Sequence, residues 1–125
     1  MKKLLLFGAI ALTSITFAQA NLQFSQVILV GSSIQTIPEN KVWKIESISY
    51  TQGLSHLPSG NFTTTNTINI NSITSVVRSV CGIVSNGPAY GVWEQQLPMW
   101  LPSGTTLSAG SGVTNISVLE FNLVP

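Results

Sequence analysis

The sequence predicts an all-β protein: a single antiparallel β-sandwich, jelly-roll-like, of about seven or eight strands. Three observations predict it. Val, Ile, Thr and aromatic residues are frequent from Asn21 onward. They recur with a period near two, and no long run shows helical spacing. Clusters of Gly, Pro, Asn and Ser punctuate these runs at short intervals, as turns do.

The first twenty residues, MKKLLLFGAIALTSITFAQA, stand apart from this pattern. Lys2 and Lys3 form a basic start, Leu4–Phe17 an apolar core, and Ala18-Gln19-Ala20 a small-x-small cleavage site. The apolar core is too short for a stop-transfer helix, so the segment reads as a secretory signal peptide. The sandwich domain is then expected over residues 21–125, with no linker and no membrane span. That length buries a single core without staples.

NLQFSQVILV opens the domain. Alternation places Leu22, Phe24, Ile28 and Val30 on one face, with Gln26 as a polar intruder. GSSIQTIPEN follows as a turn and a short extended piece that Pro38 ends, because proline lacks the ladder N–H. In KVWKIESISYT, Trp43 and Ile45 share one side, and Lys44 and Glu46 take the other with Val42, Ile48 and Tyr50. QGLSHLPSGN is a loop with Pro58-Ser59-Gly60 as its turn. FTTTNTINI alternates, and SVVRSVCGIV is a more buried strand. SNGPAYG is a turn, VWEQQLPMWL a strand interrupted at Pro98, and PSGTTLSAGSG a short strand between two turns. VTNISVLEFNLV closes the chain, with Leu119, Phe121 and Leu123 on one face and Ile116 and Val118 on the other. Either both faces are covered or a bulge shifts the phase near Val118. The segments IPENKVWKI and LPSGTTLSA echo one another and predict two similar corners at equivalent edges.

Beyond residue 20 the chain carries Lys41, Lys44 and Arg78 against Glu39, Glu46, Glu94 and Glu120, one net negative charge. This balance offers no basic patch for nucleic acid or anionic lipid. It also leaves little charge to keep copies apart. Cys81 is the sole cysteine and sits in an apolar run, so a buried thiol is the expectation and an interchain bridge the alternative.

The corners IPENKVWKIESIS and MWLPSGTTLSAGSG, with the closing ISVLEFNLVP, resemble a loose group of small secreted bacterial jelly-roll proteins of the fibre or adhesin type. The resemblance implies a fold and a secreted, extracellular or cell-surface setting, the periplasm included. It carries over no catalytic residues.

The chemistry-bearing residues are few. His56 is the only histidine, all four acids are glutamates, and no Gly-x-Ser-x-Gly elbow is present, so a Ser-His-acid triad has no frame. Paired carboxylates are conceivable, but each glutamate fits a turn or a solvent-facing strand position. No metal shell, phosphate loop or cofactor site is expected. Tyr90, Trp93 and Trp100 are the candidates for stacking on a glycan. Period-two counting turns Glu94 away from Trp93, which weakens a Trp–Glu clamp. Thr63, Thr65 and Thr67 form one short threonine row, more readily a polar sheet face than a surface-binding array. The terminal strand carrying Leu22, Phe24, Ile28 and Val30 is the candidate for self-assembly, by pairing with another copy or within its own sheet. The expected function is a non-enzymatic secreted structural or adhesive protein that self-associates as a homo-oligomer or filament subunit. A carbohydrate-binding module is the alternative.

Overall fold

The structure, a computed structural model, describes residues 21–52, 62–84 and 88–125. The segment read as a signal peptide, His56, the turn expected at Pro58-Ser59-Gly60 and residues 85–87 lie outside the described residues. The chain forms β1 (Asn21–Val30), β2 (Gln35–Thr36), β3 (Lys41–Tyr50), β4 (Phe62–Ile70), β5 (Ile73–Val84), β6 (Pro88–Glu94), β7 (Met99–Leu101), β8 (Thr106–Ala109) and β9 (Val113–Val124). Among the described residues there are nine strands, against about seven or eight expected. VWEQQLPMWL divides into two strands on different sheets, and Pro88-Ala89-Tyr90, read as turn, begins β6.

The strands make two antiparallel sheets, ordered β1-β9-β3-β7 and β2-β8-β4-β5-β6. The pairing is nested: β1 with β9, β2 with β8, β3 with β7 and β4 with β5, while β6 extends one edge. This is a jelly-roll-like winding: the chain alternates between sheets from β1 to β4 and again from β6 to β9, while β4, β5 and β6 follow one another in one sheet. Val30, Trp43, Ile45, Leu101, Ile116 and Val118 of the four-stranded sheet meet Ile68, Val77, Leu107 and Ala109 of the five-stranded sheet. Together they form the core that closes the sandwich.

Four bulges decide which side chains enter that core; the one at Thr114 of β9 lets Val113 and Ile116 both face inward, and the other three lie in β1, β3 and β5. Ser25 is the extra residue where β1 slips against β9 between Phe24 and Gln26. Leu22 and Phe24 are therefore exposed, whereas Ile28 packs on the core and Val30 is buried. The single apolar face expected for these four residues is thus divided, because an inserted residue inverts the alternation. Glu46 plays the same part in β3 and returns Ile48 to the core. Val77 does so in β5, placing Arg78 and Val80 inward. Cys81, expected to be buried, is exposed for this reason, opposite Thr63 and Gly91.

The two echoing corners are neighbours in space. Pro38 O accepts from Lys41 N with Asn40 at φ 61°, and Pro102 O accepts from Thr105 N with Gly104 at φ 82°. Ile37 N donates to Thr105 O, Gly104 N donates to Ile37 O, and Ser103 Oγ donates to Lys41 O. Each corner carries the chain from one sheet to the other at the same end of the sandwich. At another turn Gly112 has φ 72°, and an added Cβ would collide with the Asn66 amide, which itself donates to Gly112 O. Gly112→Ala is expected to cost about 2 kcal/mol or more, through both the left-handed backbone and the lost space. Urea unfolding of the variant beside the parent checks this.

Candidate interaction face on the four-stranded sheet

The outer surface of the β1-β9-β3-β7 sheet is apolar. Register places Leu22 beside Leu123, Phe24 beside Phe121, Val27 beside Leu119, and Leu29 beside Ser117. The next strand adds Val42 beside Phe121, Lys44 beside Leu119 and Ser47 beside Ser117, and Trp100 pairs with Lys44. Exposure remains high along this face: Leu22 48%, Phe24 56%, Val27 58%, Leu29 64% and Trp100 48%. Phe24 meets Phe121 edge-on with centroids 6.0 Å apart, and Phe121 meets Trp100 at 5.5 Å. An aromatic row thus runs across the sheet. The only cation on it, Lys44, lies 5.6 Å over the Trp100 ring and 3.4 Å from Glu46.

The outer surface of the other sheet differs. Thr63, Thr65, Asn69, Thr74 and Ser79 occupy it, and Asn69 Nδ2 donates to Ser108 Oγ while Thr74 Oγ1 donates to Asn69 Oδ1. Thr67 leaves the threonine row: it is buried, and its hydroxyl accepts from Ser111 N. Large apolar residues on this side, such as Val76 and Trp93, are interspersed with these hydroxyl and amide groups. One sandwich therefore has a hydrogen-bonding face and an apolar face.

Directly beneath the apolar face lies a buried carboxylate. Glu120, expected to face solvent, is 2% exposed. Trp43 Nε1 donates to its Oε2 at 2.9 Å. Its Oε1 accepts from Gln26 Nε2 at 3.1 Å and Ser25 Oγ at 3.3 Å, with Lys41 Nζ at 3.3 Å. Burial alone would raise its pKa; the hydrogen bonds from Trp43, Gln26 and Lys41 and the Lys41 charge outweigh it and hold the carboxyl below the ordinary glutamate value. Sequence alternation missed this site because Glu120 sits between Leu119 and Phe121, where a charge normally faces water. The polar intruder Gln26 was the available signal.

A second polar cluster lies between the sheets. Arg78 is 4% exposed; its Nε donates to Asn66 Oδ1 at 2.8 Å, its Nη2 donates to Gln52 O at 2.9 Å, and its guanidinium lies 3.8 Å over Tyr50. Burial, then the Glu94 charge, pushes the Tyr50 hydroxyl pKa up against the opposing effect of Arg78. Glu39, Glu46 and Glu94 are exposed as expected.

The candidate stacking residues do not converge. Trp93 is 52% exposed on β6 beside Ser79, at the edge of the five-stranded sheet. Tyr90, also on β6, pairs with Gly82 of β5. Trp100 belongs to β7, in the other sheet. Of the self-assembly candidates, Leu22 and Phe24 join the apolar face, and β1 pairs with β9 of its own chain along its whole length. Among the described residues no three His, Cys, Asp or Glu gather as a metal site, and no helix is long and apolar enough to cross a membrane.

Glu120→Gln is expected to lower stability at neutral pH by roughly 2–3 kcal/mol, since a buried ion pair and its hydrogen bonds lose the charge that joins them. The sign with pH follows from the lowered pKa. The carboxylate's contribution is complete above the unfolded-state glutamate value and is lost as pH falls through the lower folded value. Acid titration of unfolding should therefore show a shallower decline for Glu120→Gln than for the parent below about pH 4.5. No family model, no curated protein and no solved structure matches the chain.

Proposed function

We propose that this chain is a non-enzymatic, secreted structural or adhesive protein that self-associates, as a homo-oligomer or as a subunit of a surface filament. The observation that carries the reading is the apolar outer face of the four-stranded sheet, with five large apolar side chains about half exposed or more. Soluble monomers rarely leave a contiguous apolar surface of this size open. The aromatic row supplies the residue types that dominate binding energy at protein interfaces. The near-neutral charge from residue 21 onward adds no long-range repulsion between copies.

The carbohydrate-binding alternative draws on the exposure of Trp93 and Trp100. Sugar stacking favours ring faces lying in one plane and free to receive a pyranose. Here Phe24 and Phe121 stand at 74° and Phe121 and Trp100 at 41°, with Lys44 over the indole. These tilts favour interdigitation with side chains of a protein partner.

Light scattering on the secreted protein at micromolar concentration should return a mass that is a multiple of the single chain. A strict monomer would reject self-association. Tryptophan fluorescence gives an independent readout. Trp43 is buried and Trp93 and Trp100 are half exposed, so dilution out of the assembled state should raise iodide quenching of Trp100 and leave Trp43 unaffected. Single-tryptophan variants assign the change. Quenching by a soluble glycan, lost in Trp100→Ala, would instead support carbohydrate binding.

A further inference from the structure

We infer that the outer face of β1, β9, β3 and β7 closes against the same face of a second copy, giving a closed assembly with the Phe24–Phe121–Trp100 row at its centre. This rests on the self-association proposed above and names its surface and its partner.

Size is the first argument. Three long strands about 4.8 Å apart, over about ten residues of ~3.4 Å rise, with the short β7 at one edge, give a flat area near 500 Å². Side-chain relief carries the accessible area toward the ~800 Å² that each partner contributes to a stable interface. The second argument is complementarity. An apolar face needs an apolar partner surface of matching extent, and among the described residues this molecule offers one such surface, the face itself. The remaining large exposed apolar residues are scattered: Ile34 lies on a loop, Ile73 starts β5 opposite Ile70, Val92 lies on edge strand β6 opposite Val80, and Val76 and Trp93 lie among the hydroxyls and amides of the other sheet. A head-to-tail contact would therefore set the apolar face on a polar one. Contact between identical faces buries apolar surface on both sides and uses the face up, which closes the assembly.

Charge is the third argument. Lys44 and Glu46 form a pair 3.4 Å apart, so the face has no net charge and two copies meet without like-charge repulsion. The same neutrality gives an anionic lipid surface no electrostatic hold. Ser47 and Ser117 continue the face as a polar margin, the arrangement of an apolar centre and hydrated rim.

The test is light scattering on the full secreted protein and two pairs of variants. Phe121→Ser removes the ring that touches both aromatic neighbours. Val27→Lys adds a charge on a side chain 58% exposed, so the fold tolerates it, as an unchanged melting temperature would verify. Both should weaken association at least ~10-fold, because a charge or a cavity enters a dry apolar contact. Trp93→Ser and Thr65→Lys, on the opposite sheet, should associate like the parent. If Val27→Lys associates normally, or the opposite-sheet variants dissociate instead, the inference fails while self-association stands. A mass that climbs without limit with concentration overturns closure in the same way. A monomeric parent overturns both, and flotation of that monomer with phosphatidylcholine vesicles would reassign the face to lipid.

Discussion

The ionised Glu120 side chain is the constraint on which the four-stranded sheet depends. Its two oxygens collect Trp43 and Lys41 from β3 and Ser25 and Gln26 from β1. A carboxylate taken out of water costs several kcal/mol unless donors surround it, so the arrangement holds only when all three strands are in register. A one-residue slip of either neighbour would bury the charge without its donors and would invert every side chain on that strand. The carboxylate therefore fixes two pairings at once. It also fixes the bulge, because the donors at Ser25 and Gln26 are consecutive residues and only a bulge turns both toward one acceptor.

The bulge has a consequence on the opposite surface. Before it, Leu22 and Phe24 point outward; after it, Val27 and Leu29 do. An uninterrupted strand would have placed Leu22, Phe24, Ile28 and Val30 together and left the outer surface of β1 more polar. The inserted serine instead sends Ile28 and Val30 to the core and keeps the outer face apolar from end to end. In β9 the alternation is continuous from Ile116 to Leu123, so inward Val118 and Glu120 alternate with outward Leu119 and Phe121. Neither of the two explanations open for that strand holds in full: no residue is inserted in β9 near Val118, and its second face is not fully covered. The outer set is only half covered.

Much of this was legible in the sequence. Alternation and turn residues locate the strands, and the echo of IPENK and LPSGT anticipates two corners that prove to be hydrogen-bonded neighbours. Three features were not legible, and they share one cause. Period-two counting assumes unbroken pleating, whereas Ser25, Glu46 and Val77 each insert a residue. The insertion at Val77 sends Cys81 outward, that at Ser25 divides the β1 face, and the Ser25 bulge gives Glu120 its donors. The clue was local: Val27-Ile28-Leu29-Val30 is a continuous apolar run, which no strand with one wet face requires. The candidate site was half visible for the same reason. Leu22, Phe24 and Trp100 were singled out, but Val27, Leu29 and Phe121 complete the surface, and only the pairing register brings them together.

The two outer faces divide the work of a protein with little charge. Net charge ordinarily keeps chains apart, and here it is close to zero. Solubility must then come from hydrogen-bonding groups. Those groups are concentrated on one sheet, where Asn69, Thr74 and Ser108 bond to each other across strands while Thr63 and Thr65 are exposed to solvent. A sandwich evolved to stay single would gain from spreading such groups over both sheets, since each exposed leucine or phenylalanine on the outer face costs solubility without adding to the core. Keeping most of them on one side while leaving the centre of the other side apolar is costly for a monomer. It is the arrangement expected where one face meets water and the other meets a partner.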